Sequence, residues 1–138
     1  MPAGEATPLL VFIHGGFWRG GDKRVFSFLA EPYEASGVPV ALLGYELAPQ
    51  VSVTRIVEQI TQAVARLVQR PSALGFDPDR VTLSGHSAGG HLSALLSTMS
   101  PSVFGGHCFH GIPPVSGIFR LAPMLLTSIN HESHITAL

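Results

Sequence analysis

The sequence predicts an α/β protein, a mostly parallel sheet with crossover helices. Three observations carry that expectation. Four short apolar runs are each bounded by Gly, Pro or Asp, and segments of helical periodicity separate them. Every connection between runs exceeds the dozen or so residues that a parallel crossover needs.

The first run, Leu9-Leu10-Val11-Phe12-Ile13, has no polar position, as a strand buried on both faces should read. Asp22 to Ala35 follows as an irregular helix, apolar at Val25, Phe26, Phe28 and Leu29 and interrupted by Pro32. Val38–Leu43 is the second strand. From Thr54 to Arg70, Ile56, Val57, Ile60, Ala63, Val64, Leu67 and Val68 form an amphipathic stripe, with Arg55, Glu58, Gln59, Gln62, Arg66 and Gln69 off it. Val81–Leu83 is the third strand. Ala88, Leu92, Leu95, Leu96 and Met99 mark the next helix, which stops at Pro101. Gly111–Gly117 is the fourth strand and the weakest, because Pro113 and Pro114 cannot donate to a ladder.

The 138 residues amount to one domain's worth of chain. Hydrophobic residues reach 46% while charged residues reach only 12%, about half the ~25% of an ordinary soluble domain. There is ample material for a core and little for a wetted surface. With 8 basic and 9 acidic residues there is no basic stripe to meet a phosphate backbone, which argues against nucleic acid. No apolar run approaches the ~18–20 residues of a membrane span. The start, Met1-Pro2-Ala3-Gly4-Glu5, has no basic region ahead of an apolar stretch, and the single Cys108 fits a reducing compartment. The expected location is the cytoplasm.

Two segments carry chemistry. Gly85-His86-Ser87-Ala88-Gly89 is a G-x-S-x-G between the third strand and the helix that follows. In that setting a sharp strand-to-helix turn lifts a serine hydroxyl to the top of the sheet, and glycines flank it where the turn leaves no room for Cβ atoms. The helix N-terminus offers N–H groups and partial positive charge to an anion forming above it. His14-Gly15-Gly16-Phe17-Trp18 follows the first strand. A tetrahedral acyl intermediate needs N–H donors aimed at its oxyanion, which Gly15 and Gly16 with the N–H of Ala88 would supply. Trp18 and Phe17 read as packing under that loop.

Other candidates are weaker. His131-Glu132-Ser133-His134 spaces its histidines by three, not the four of H-E-x-x-H, and His107-Cys108-Phe109-His110 has no second matching pair. No metal site is expected. Gly20-Gly21-Asp22-Lys23 lacks the phosphate-loop frame, so no cofactor is implied. After Ser87 come His91, His107, His110, His131 and His134. His91, four residues along the elbow helix, should point away from the hydroxyl, and a base must come within hydrogen-bond reach of it.

His14-Gly15-Gly16-Phe17-Trp18 with Asp22-Lys23, Tyr45-Glu46-Leu47-Ala48-Pro49, and Gly85-His86-Ser87-Ala88-Gly89-Gly90-His91-Leu92 together resemble the α/β-hydrolase fold. They look most like the arylformamidase (kynurenine formamidase) branch of the esterase/lipase group. Val115 to Pro123 and Thr127 to Asn130 are similar to that branch as well, except that Arg120 stands where the family commonly has Asp. The resemblance implies a serine hydrolase of carboxylic esters or aryl-formamides with Ser87 as nucleophile. It also implies a strand order of second, first, third, fourth, and a triad acid and histidine beyond residue 138. Residues 1–138 would then be a single partial domain, inactive alone or serving as a non-enzymatic binding module. Its uncovered sheet edges would favour self-association.

Overall fold

The computed structural model describes residues 7–133 and 135. Four strands, β1 (Leu9–Ile13), β2 (Val40–Leu43), β3 (Val81–His86) and β4 (Pro114–Val115), form one sheet in the order β2-β1-β3-β4, every pair parallel. Both the α/β class and the strand order are as expected. Ile13 pairs with Leu43 on one side and with Gly85 on the other. The C-terminal ends of β1, β2 and β3 therefore lie level.

Side-chain alternation along β1 divides the two faces. Leu9, Val11 and Ile13 join Val81 and Leu83 in the main core. Helix α2 (Val53–Val68) lays Ile56, Ile60, Val64 and Val68 on that face, and α4 (Ala88–Ser97) adds Leu92 and Leu96. The Ser52 hydroxyl accepts from the Arg55 N–H and so caps α2, which starts one residue before the expected Thr54. On the opposite face Phe12 meets Phe26 with ring centroids 4.9 Å apart.

The segment Asp22–Ala35 is not one helix. A 3₁₀ segment, Lys23–Leu29, precedes the short α1 (Ala30–Ala35). Pro32 has no N–H for the Phe28 carbonyl and its ring crowds that position, so a continuous α-helix cannot run through. The second strand starts at Val40 and not at Val38, since the Val38 N–H is taken by the Tyr33 carbonyl and Pro39 has none. The third strand runs on past Leu83 to His86, held by Ile13 and then by β4. The fourth contracts from Gly111–Gly117 to two residues plus an isolated Thr82–Gly111 bridge, because Pro113 and Pro114 interrupt the ladder. The Ser84 hydroxyl donates to the Pro113 carbonyl at 2.6 Å and restores part of that contact. Short α3 (Pro71–Leu74) and α5 (Asn130–Ser133) complete the α-helices among the described residues. No helix among the described residues is long and apolar enough to cross a membrane.

Candidate active site

Ser87 is the hinge between β3 and α4. Its backbone lies at φ 54° and ψ −113°, a conformation that costs a non-glycine residue on the order of 1–3 kcal/mol and persists only where its surroundings enforce it. The surroundings are visible. The Ser87 N–H donates to the Val115 carbonyl at 2.9 Å, and the Ser87 carbonyl accepts the His91 N–H at 3.0 Å as the first bond of α4. Glycine does the rest. A Cβ on Gly89 would run into the Ile13 carbonyl, and one on Gly85 would strike the Gly89 carbonyl while coming 2.8 Å from the Ile13 oxygen. The helix thus starts in contact with the β1 and β3 backbones. Ser87 is half-buried, Ala88 fully buried and His86 exposed.

The loop after β1 reaches the same point. A Cβ on Gly15 would lie 3.1 Å from Ser87 Cβ and 2.6 Å from the His86 carbonyl oxygen, so this glycine is what lets the two turns touch. Gly16 follows at φ 128°, then Phe17 at 53° and Trp18 at 59°, three successive left-handed residues that fold the loop back. The Gly16 carbonyl accepts the N–H groups of Arg19 and Gly20. The N–H groups of Gly16 and Ala88 have no acceptor among the described residues.

The Tyr45–Pro49 segment, which carries no assigned role in the sequence reading, braces this loop. Tyr45 donates its hydroxyl to the His14 carbonyl at 2.9 Å and stacks on the His14 ring at 4.3 Å and 7°, and the Ala48 N–H donates to the Trp18 carbonyl at 2.8 Å. Burial raises the Tyr45 phenol above its ordinary value, so it stays a donor. Buried His14 bonds the Gly15 carbonyl at 2.8 Å through Nδ1, which must therefore carry the proton. His14 is an anchor of the loop. Trp18 is wholly buried, as expected of a packing residue, whereas Phe17 is 40% exposed. From the far end of the chain, Glu132 pairs with Arg19 at 3.1 Å and Ser133 donates to the Phe17 carbonyl at 3.4 Å.

No described histidine hydrogen-bonds the Ser87 hydroxyl. His91 packs edge-on against Trp18, centroids 5.4 Å apart, and its burial lowers its pKa. His107 pairs with Asp79 at 2.7 Å, but Asp79 precedes β3 and so lies at the opposite end of that strand from Ser87. His131 lines a small cavity with Leu125, Thr127 and Asn130. His134 falls outside the described residues. Among the described residues no group of three or more His, Cys, Asp or Glu side chains is placed to hold a metal ion.

A parallel sheet with a left-handed serine at the β3–α4 junction and a glycine loop packed beside it defines an α/β-hydrolase core of the esterase/lipase type. More narrowly, the chain belongs to the BD-FAE family, whose model matches residues 1–113. Kynurenine formamidase of Salmo salar is 34% identical over 137 residues, covering 94% of this chain and 43% of that protein. Among solved structures, a protein of Silicibacter sp. tm1040 superposes with a TM-score of 0.80 at 37% identity, over 98% of this chain and 50% of its own. Esterase B of Lactobacillus rhamnosis does so at 0.77 and 27%, over 91% and 43%. The chain therefore spans about half the length of the relatives it matches.

Proposed function

We propose that this chain carries the nucleophile and oxyanion elements of a serine esterase and that its 138 residues alone are catalytically silent. Ser87 is the nucleophile; the N–H groups of Gly15, Gly16 and Ala88 form the oxyanion site. Attack on an acyl carbonyl requires Ser87 to give up its proton as the C–O bond forms, and the tetrahedral oxyanion must then be held by those donors. The donor side is supported by the free N–H groups at the elbow and loop. The acceptor side is missing: no described histidine, oriented by a carboxylate, reaches the hydroxyl. That single observation carries the reading of inactivity, and it favours a partial hydrolase unit over a self-sufficient enzyme.

The substrate class on this reading is carboxylic esters or aryl-formamides, supported by the likeness to a kynurenine formamidase and to esterase B. Fold alone does not set substrate. Hydrolysis of an activated aryl ester by the 138-residue chain tests the proposal. Losing the histidine of a comparable triad costs ~10⁶ in kcat, so the expected rate is near background and unchanged in Ser87→Ala. Turnover at ordinary esterase rates, abolished by Ser87→Ala, would overturn inactivity and direct attention to His131 or His134.

A further inference from the structure

A cleft of about 490 Å³ opens beside the glycine loop, between it and the end of β2. Its wall includes His14, Asp22, Lys23, Gly44, Tyr45 and Leu47. We propose that this cleft takes a carboxylate-bearing substrate, with the Lys23 ammonium as the group that recognises the carboxylate. The inference rests on the esterase reading and narrows its substrate class.

Charge is the first argument. Asp22, the one carboxylate in the wall, is fully engaged by Arg24: Oδ1 accepts from Nε at 3.0 Å and from the Arg24 N–H at 2.8 Å, and Oδ2 accepts from Nη2 at 2.8 Å. The guanidinium's hydrogen bond holds the Asp22 carboxyl well below the usual carboxylate range, so it stays committed to Arg24. The Lys23 ammonium, next in the chain, makes no hydrogen bond or ion pair with any described residue. One positive charge in the wall is left uncompensated.

Position is the second. Gly44 has no side chain, and the Lys23 stem lies over it: a Cβ there would come 3.4 Å from Lys23 Cδ. The stem is thus laid along bare backbone at the cleft, leaving the ammonium free to reach a ligand. A Cβ on Gly21, on the cleft wall, would run into the Gly15 carbonyl, and Gly15 in turn touches Ser87. One loop layer separates the cleft from the candidate nucleophile. The Tyr45 hydroxyl is already committed to His14, so a neutral ligand finds little there to replace what Lys23 offers an anion.

Equilibrium dialysis of benzoate against the 138-residue chain, with benzamide as the neutral isostere, tests this without reference to catalysis. An exposed charge pair supports a modest preference, so benzoate should bind about two- to fivefold more tightly than benzamide at low salt. The preference should vanish in 1 M salt, where the screening length is ~3 Å. Lys23→Met, which keeps the stem, should bind the two equally, and Lys23→Arg should retain the preference. Ser87→Ala should bind like the wild type, so a failure of the esterase reading would leave this result standing. Equal binding of the two probes by the wild type, binding of neither, or a preference that survives Lys23→Met would overturn the assignment.

Discussion

His91 shows how one buried residue couples this fold to pH. Its ring lies against Trp18, and neither its Nδ1 nor the Trp18 Nε1 has a hydrogen-bond partner among the described residues. Burial disfavours the imidazolium, so the folded pKa lies below the 6.5 of the unfolded chain. Below that value the unfolded state binds more protons than the folded one. The stability His91 contributes is therefore complete above about pH 6.5 and drains away as pH falls through the folded pKa. Urea unfolding followed by the fluorescence of the single, buried Trp18 should show a lower midpoint at pH 5 than at pH 7.5. His91→Leu should flatten that dependence, and an unchanged slope in the variant would assign it elsewhere.

At the level of the elements, the start of α4 rests directly on the backbone of β1. It depends on Gly85 and Gly89, whose missing side chains let one backbone rest on another. Gly89→Ala must push a methyl into the Ile13 carbonyl, and backbone on both sides cannot yield cheaply. Overpacking of this kind costs about 1–3 kcal/mol or more. Gly75, which ends α3 at φ 72°, is different: nothing lies within 4 Å of its added Cβ. There alanine meets only the left-handed backbone penalty of about 1–2 kcal/mol. Urea midpoints should therefore rank wild type, then Gly75→Ala, then Gly89→Ala. The reverse order of the two variants would mean that α4 can slide away from β1, and that the elbow is less rigid than its packing indicates.

For the whole molecule, the two faces of the sheet differ. Helices α2 and α4 cover one. The other carries the 3₁₀ segment and α1 over part of its width and leaves an apolar groove of about 420 Å³, lined by Leu10, Phe12, Tyr33, Pro113 and Val115 among others. Around the molecule Val25, Phe28, Phe119 and Leu126 are 60–91% exposed. The outer strands β2 and β4 each have one unpaired edge in the sheet. Exposed apolar area and open edges both promote association, and the low charge content does little to oppose it. Light scattering on the isolated chain should give a mass above that of a monomer, or aggregation. A monodisperse monomer with a cooperative thermal transition would show that these surfaces are tolerated in water.

Local periodicity was enough to identify the α/β class, the bounds of β1, and the cores of α2 and α4. Each of those elements buries a regular stripe, and a stripe is a property of consecutive residues. The G-x-S-x-G and His-Gly-Gly turns were legible for a related reason, since a backbone that must pass close to another backbone demands glycine at fixed positions. What remained hidden depends on partners far along the chain. Tyr45 as the brace of the His14 loop, the Glu132–Arg19 clasp and the capture of the Ser87 N–H by Val115 all arise from contacts with other segments. The same holds for the truncated β4, where the prolines were visible but the Ser84 hydroxyl that rescues the contact was not. Such pairings have no period, so they emerge only when the parallel sheet brings its strand ends level and sets their loops side by side.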